Sequence, residues 1–296
     1  MKNTILKGVG VALATPFHRN GQIDFSSLTT LVEHAIEGGV DFLVALGTTA
    51  EAPTLTDKER LAVVESIIDA NNGRLPCVLG IGGNNTSMVL EQIKAASYQG
   101  INYLLSIAPY YNKPNQEGLF RHYQMIAENS PVPVIAYNIP SRTGVNMEVS
   151  TILRLANEVE NLVAIKEASG NLLQIMDVIH NKPANFKVFS GDDAMTFSIL
   201  ALGGDGVIST TANVLPKEMS NMVHVFQNGD IKAARAKHYE LLNMMRLLFA
   251  EGSPSGLKAA LEIKNLAKNN LRLPLTKVSK NLYNKMVEQL ELLEAK

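Results

Sequence analysis

Lys166 stands inside Leu162-Val163-Ala164-Ile165-Lys166-Glu167-Ala168, a run that otherwise reads as buried strand. A lone ammonium in such a run is costly, so it is either paired or sheds its proton. A neutral amine attacks carbonyl carbon and forms a Schiff base. The other reading is a structural ion pair with a carboxylate such as Glu167. Neighbours along a strand point to opposite faces, however, so these two do not meet easily. On these residues alone both readings stay open. Tyr137 and Tyr111 are the candidate proton carriers, since a phenol beside a cationic imine ionises more readily; the plain alternative is two rim tyrosines facing water. Thr48 and Thr49 follow Gly47 and offer hydroxyls and backbone N–H groups that suit a carboxylate, although Thr and Gly also simply form turns. Arg142, after Pro140-Ser141, is either a bidentate carboxylate grip or a solvated loop cation. Asp192-Asp193 has no histidine nearby, and Asp193 reads as a helix cap rather than a metal ligand.

These groups need a scaffold, and the order of segments supplies one. Short apolar runs recur at Gly8–Ala14, Asp41–Leu46, Pro76–Ile81, Ile101–Ile107, Val132–Tyr137, Leu162–Glu167, Phe186–Ser190 and Gly206–Ser209. Near-continuous hydrophobic strands are expected where both faces of a parallel sheet are covered. Helical patterns lie between them. Asp24 precedes Leu28, Leu31, Val32, Ala35 and Ile36, and Gly38-Gly39 closes that helix. Thr56-Asp57-Lys58-Glu59 is a capping box. Thr86 or Ser87 opens the next helix, and Asn171 and Asp193 are placed to cap later ones. Alternation that begins with a strand predicts a closed (β/α)8 TIM barrel rather than an open doubly wound sheet. After about Pro216 the pattern turns wholly helical, through Leu241, Leu242, Met245, Leu248 and Phe249, then Leu282, Met286, Leu290 and Leu293. The expected division is a catalytic barrel over 1–228 and a C-terminal helical region over 229–296, with Met244-Met245 as core filling. In such a barrel, chemistry sits at the C-terminal strand ends, where all the residues above fall.

Composition narrows the function. The chain has 296 residues, 46% apolar and 19% charged, with Lys+Arg 27 against Asp+Glu 28. That suits a folded globular protein and lacks the basic footprint of a nucleic-acid binder. A single cysteine, Cys77, excludes an internal disulfide and fits a reducing compartment. No apolar run approaches the roughly 20 residues that cross a bilayer. Ala12-Leu13-Ala14 imitates a signal-cleavage box, but Lys7 and two glycines leave too short an apolar stretch for a secretory core. The expected location is cytoplasmic. Gly80-Ile81-Gly82-Gly83 fails the dinucleotide spacing, no GxxxxGKS/T exists, and Gly203-Gly204-Asp205-Gly206 precedes its strand and reads as a turn.

Six stretches occur in order: Gly47-Thr48-Thr49-Ala50-Glu51, Pro109-Tyr110-Tyr111-Asn112-Lys113-Pro114, Tyr137-Asn138-Ile139-Pro140-Ser141-Arg142-Thr143-Gly144, Ile165-Lys166-Glu167-Ala168-Ser169-Gly170-Asn171, Ser190-Gly191-Asp192-Asp193 and Gly206-Val207-Ile208-Ser209. Together they closely resemble the dihydrodipicolinate synthase family of the pyruvate-dependent class I aldolases, and the likeness spans essentially the whole chain. The resemblance implies a lyase acting on pyruvate and L-aspartate 4-semialdehyde, the first committed step of lysine and diaminopimelate biosynthesis, with no metal and no cofactor. It implies that Lys166 forms the imine and that Tyr137 moves protons, linked to Thr48 and to Tyr111 from a neighbouring subunit of a homotetramer (a dimer of dimers). Thr49 and the main chain at Ile208 would hold the pyruvate, Arg142 the carboxylate of the semialdehyde, and Gly191 would belong to the substrate-binding residues. A sugar-acid aldolase such as N-acetylneuraminate lyase or a keto-deoxy-gluconate aldolase shares the lysine and tyrosine. Arg142 separates them, because a charged fork suits a second carboxylate. A non-catalytic keto-acid binder would not need Lys166, Tyr137, Thr48 and Tyr111 all intact. Three departures stand out. Ala50 replaces a usual Gly, so the backbone there must avoid positive φ. The C-terminal motif reads Gly252-Ser253-Pro254-Ser255-Gly256-Leu257-Lys258. Met88, Asp57 and Arg60 replace residues of an inhibitory lysine site, which implies weak or absent feedback inhibition.

Overall fold

A computed structural model describes residues 6–295. Eight parallel strands close into a barrel in chain order: β1 (Gly8–Ala12), β2 (Phe42–Ala45), β3 (Cys77–Gly80), β4 (Tyr103–Ile107), β5 (Val134–Asn138), β6 (Leu162–Glu167), β7 (Lys187–Ser190) and β8 (Gly206–Ser209). The (β/α)8 expectation is borne out, and each strand falls inside or within a residue of its apolar run. β1 stops at Ala12 because the next turn looks elsewhere for partners: the Ala14 N–H donates to Asn213 Oδ1 at 3.0 Å. The chain divides into two compact units, one of Pro76–Ile208 and the other of Gly8–Leu75 with the segment from Ser209 onward.

In the first unit, β3 to β8 pair in sequence. One irregularity sets the neighbours of Lys166. The register of β5 on β6 slips between Val134 and Ile135, after which Tyr137 lies beside Lys166 and Asn138 beside Glu167. Because strand side chains alternate, Tyr137 and Lys166 share one face and Asn138 and Glu167 the other. Helix Leu172–Asn181 starts at Asn171, whose side chain accepts from the N–H groups of Leu173 and Gln174, as expected. Two caps differ from expectation. Asn85, not Thr86 or Ser87, caps helix Thr86–Ala95 by accepting from Met88 N. Asp192, not Asp193, caps the 3-10 turn after β7 by accepting from Ala194 N, while Asp193 is buried inside that turn.

In the second unit, Asp24 caps helix Phe25–Glu37, and Thr56 and Glu59 form the reciprocal capping box on helix Asp57–Asn71. The C-terminal helices Pro216–Gln227, Ile231–Leu247, Ser255–Ile263 and Lys280–Glu294 bury Met219, Leu241, Met244, Met245, Leu282, Met286 and Leu290. Gly256 permits the close approach within the Gly252–Lys258 stretch, since a Cβ there would lie 2.3 Å from the Leu248 carbonyl oxygen.

Arg272 grips Glu59 with two N–H groups, at 2.9 and 2.5 Å. That hydrogen-bonded guanidinium holds the Glu59 carboxyl down at about 2, against an ordinary 4.5. The folded value lies below the unfolded one, so the pairing stabilises above about pH 4.5 and its contribution is lost as pH falls from there toward 2. With the Glu59 side chain 28% exposed, solvent screening leaves about 1–2 kcal/mol. Urea unfolding of Glu59→Gln is therefore expected to show less stability at neutral pH and a shallower decline between pH 4.5 and 2.5. A slope equal to that of the unaltered protein would contradict this.

Candidate active site

The Lys166 side chain is buried, at 5% exposure, on the face of β6 turned away from the helices. Its Nζ stands 4.3 Å from the centroid of the Tyr137 ring. Among the described residues it makes no ion pair and no hydrogen bond. The Glu167 reading fails for the reason the alternation gives. The Glu167 carboxylate faces the other way, where it accepts from Ser169 N at 2.7 Å, Asn138 Nδ2 at 3.2 and 3.3 Å, and Gln174 Nε2 at 3.3 Å. Burial pushes the Glu167 carboxyl above its ordinary value, and these hydrogen bonds pull it back. On the side of β6 opposite Glu167, the Lys166 amine faces the Tyr137 ring.

Tyr137 is itself held from behind. The buried Tyr123 hydroxyl donates to the Ser106 carbonyl at 3.0 Å and meets the Tyr137 backbone N–H and carbonyl at 3.4 Å each. Burial raises the Tyr123 phenol far above its ordinary value, so it stays a neutral anchor. No described residue hydrogen bonds to the Tyr137 hydroxyl.

Gly191 lies against the lysine. A Cβ there would come within 2.7 Å of the Ala168 Cβ and 3.1 Å of Lys166 Cε and Cγ. Glycine leaves the alkyl stem its room. Gly191→Ala is expected to keep the fold while slowing any reaction of the amine with a keto acid by about tenfold or more, since small misplacements of reacting groups are expensive. Stopped trapping of the adduct with borohydride measures that rate, and an unchanged rate would contradict the packing argument. Beside it, burial and the neighbouring Asp193 raise the Asp192 carboxyl.

The other candidates lie at strand ends as expected. Ile208 is buried in β8. Arg142 is exposed in the short helix Pro140–Thr143, which ends at Gly144 with φ +73°. Tyr111 is 87% exposed, on a residue with φ +70°. No hydrogen bond among the described residues joins it to Tyr137 or Lys166. The structure thus brings Lys166, Tyr137 and Gly191 together, and leaves Tyr111 facing outward from its own chain.

In the second unit, Thr48 and Thr49 form a 3-10 turn with Ala50 just after β2. No described residue hydrogen bonds to either hydroxyl. The positive φ values of this loop fall on Leu46 and Glu51, both at +54°, and not on Ala50, so the alanine is accommodated without strain. One feature escaped sequence reasoning. Lys258 forms an ion pair with Glu51, with side chains 1% and 0% exposed. Burial pushes the Lys258 ammonium down to about 8, and the Glu51 charge opposes that. A lysine within Leu257-Lys258-Ala259-Ala260-Leu261 carries the same signal as Lys166 in its strand. Among the described residues no group of three or more His, Cys, Asp or Glu is placed to hold a metal ion, and no helix is long and apolar enough to cross a membrane.

Comparison with known proteins identifies the family. The model of the dihydrodipicolinate synthetase family matches residues 5–293. The 4-hydroxy-tetrahydrodipicolinate synthase of Parabacteroides distasonis is 46% identical over 296 residues, covering 100% of both chains. The crystal structure of dihydrodipicolinate synthase from Thermotoga maritima superposes with a TM-score of 0.96 at 38% identity, covering 98% of this chain and 99% of its own. The chloride-inhibited dihydrodipicolinate synthase of Acinetobacter baumannii, solved in complex with pyruvate, gives 0.95 at 40% identity, with 98% and 99% covered. With the lysine, the tyrosine and the barrel in place along the full length, the chain belongs to the dihydrodipicolinate synthetase family.

Proposed function

We propose that this chain condenses pyruvate with L-aspartate 4-semialdehyde, through a Schiff base on Lys166, to give 4-hydroxy-tetrahydrodipicolinate, the first committed step of lysine and diaminopimelate biosynthesis. The observation that carries the reading is the buried Lys166 amine, without an acidic partner among the described residues and 4.3 Å from the Tyr137 ring. In its neutral form the amine attacks the keto carbon of pyruvate, and the carbinolamine loses water to give the imine. The iminium is an electron sink, so the methyl group gives up a proton and becomes an enamine. The enamine carbon attacks the aldehyde, and its oxygen takes up a proton. The substrate's own amine then displaces Lys166 by transimination, which closes the ring and frees the enzyme.

Tyr137 carries the protons in these steps, with Thr48 and with Tyr111 supplied by a neighbouring subunit. The outward exposure of Tyr111 supports that division of labour. Thr49, Gly191 and the main chain at Ile208 hold the keto acid, and Arg142 receives the second carboxylate. The reading includes a homotetramer of two dimers, a cytoplasmic location, and a functional division into a barrel over 1–228 and a helical region over 229–296. Residues 1–5 of that barrel lie outside the described residues. Weak or absent inhibition by lysine follows from Met88, Asp57 and Arg60. A coupled assay tests the activity by offering pyruvate with aspartate semialdehyde or with N-acetylmannosamine. Turnover with the semialdehyde alone is expected, and turnover of the amino sugar alone would overturn the reading in favour of a sugar-acid aldolase.

A further inference from the structure

The Lys258–Glu51 pair is the most deeply buried ion pair among the described residues. Removing two charges from water offsets most of their attraction, so a pair of this kind adds little stability over apolar side chains of the same volume. Its surroundings indicate another role. Glu51 follows directly on the Thr48–Ala50 turn and adopts the left-handed φ of +54° that a Cβ disfavours. Its N–H closes the turn on the Thr48 carbonyl at 3.3 Å, and its carbonyl accepts from Thr54 N at 2.9 Å and Thr54 Oγ1 at 3.0 Å.

The carboxylate of Glu51 is held on both oxygens, one by Lys258 Nζ and the other by the backbone N–H of Arg272 at 3.2 Å. Lys258 is aimed in turn. It donates to the Asn270 carbonyl at 2.9 Å and stands 4.0 Å over the Phe17 ring, which the Arg272 guanidinium also approaches, at 4.6 Å. The same guanidinium donates to the Thr54 carbonyl at 2.7 Å and to the Gly21 carbonyl at 2.7 and 3.0 Å. Groups from the C-terminal segment therefore hold the backbone immediately after Thr48 and Thr49 at Glu51 and at Thr54. An apolar plug would fill this space, but only directional charged contacts hold a strained residue in one orientation.

We infer that the buried Lys258–Glu51 pair is a positioning device that fixes the Thr48–Thr49 turn, and with it the two hydroxyls, in the orientation the condensation requires. The inference rests on the proposed function and adds Lys258 and Glu51 to the residues that set its rate, acting through the threonines and not by touching substrate. It also accounts for a lysine in the otherwise apolar start of helix Ser255–Ile263.

The test compares Glu51→Gln, Lys258→Met and the double variant with the unaltered protein. Three quantities are read: thermal midpoint, rate of borohydride-trapped pyruvate adduct at Lys166, and kcat and KM for pyruvate. Each single variant strands a buried partner and lowers the midpoint. The double variant removes both charges and recovers it. A positioning role predicts that the recovered double variant still has kcat/KM for pyruvate lowered by on the order of 10- to 100-fold, mostly through KM, with slow adduct formation. If kcat/KM returns together with the midpoint, the pair is merely structural and the inference is overturned. Should the double variant not fold, Glu51→Gln assayed below its own midpoint carries the same test, with the same loss expected and unchanged kcat/KM overturning the inference. Absence of any adduct in the unaltered protein would overturn the proposed function, and the inference with it. A normal adduct there, with unchanged kinetics in the variants, would overturn the inference alone.

Discussion

Replacing Lys166 by methionine is expected to lower turnover by on the order of 10⁴-fold or more while leaving the protein at least as stable as before. Both halves follow from the same geometry. If the amine is the nucleophile, no neighbouring group can form its covalent intermediate, and losses of this size are typical when a nucleophile is removed. The stability half follows because Lys166 Nζ makes no ion pair and no hydrogen bond among the described residues. Its removal leaves no orphaned carboxylate, and a methionine of similar length refills the space between Tyr137, Gly191 and the barrel wall. Lys258→Met is the contrasting control. There the buried Glu51 loses its counter-charge, and a loss of about 3–5 kcal/mol is expected. Two buried lysines thus behave in opposite ways in urea unfolding. A large destabilisation by Lys166→Met would mean that its amine has a structural partner and would undercut the catalytic reading.

Tyr137→Phe is expected to lower kcat by about 10²- to 10⁴-fold, the usual contribution of a positioned acid or base. The ring, which packs 4.3 Å from Lys166 Nζ, is retained, and so is the backbone clasp from Tyr123. No described residue bonds to the lost hydroxyl, so stability should change little. The lysine of this variant still reacts with pyruvate, more slowly, so borohydride should continue to label the protein. This separates proton transfer from nucleophilic attack: Lys166→Met abolishes labelling, whereas Tyr137→Phe only delays it. Full activity in Tyr137→Phe would remove the tyrosine from the mechanism.

The barrel was legible because a parallel sheet buried on both faces leaves eight short apolar runs between capped helices. Lys166 was legible as a cation out of place in one of them. The Asp24 cap was read from its place directly before the apolar periodicity, and the Thr56–Glu59 box from the Glu three residues on, which singles out Thr56 over Asp57. Where several such residues are adjacent, type alone does not choose. Asn84-Asn85-Thr86-Ser87 holds four candidates, and Asp192-Asp193 two, and the backbone conformation selected Asn85 and Asp192. The slip of register between Val134 and Ile135, which sets Tyr137 beside Lys166, leaves no mark in residue types. Lys258 is different. Its apolar neighbours gave the same signal as those of Lys166, but a helix offers no alternation rule to say what a buried ammonium faces, and Glu51 is 207 positions away in a turn that reads as ordinary glycine and threonine chemistry.

The account stands on an imine between Lys166 and pyruvate. The most direct measurement is borohydride reduction of the protein in the presence of pyruvate, followed by peptide mapping of the adduct by mass spectrometry. The account predicts one stoichiometric, pyruvate-dependent modification on the peptide that carries Lys166, absent from Lys166→Met. No adduct, or an adduct on Lys258 or a surface lysine with Lys166 unmodified, would contradict it.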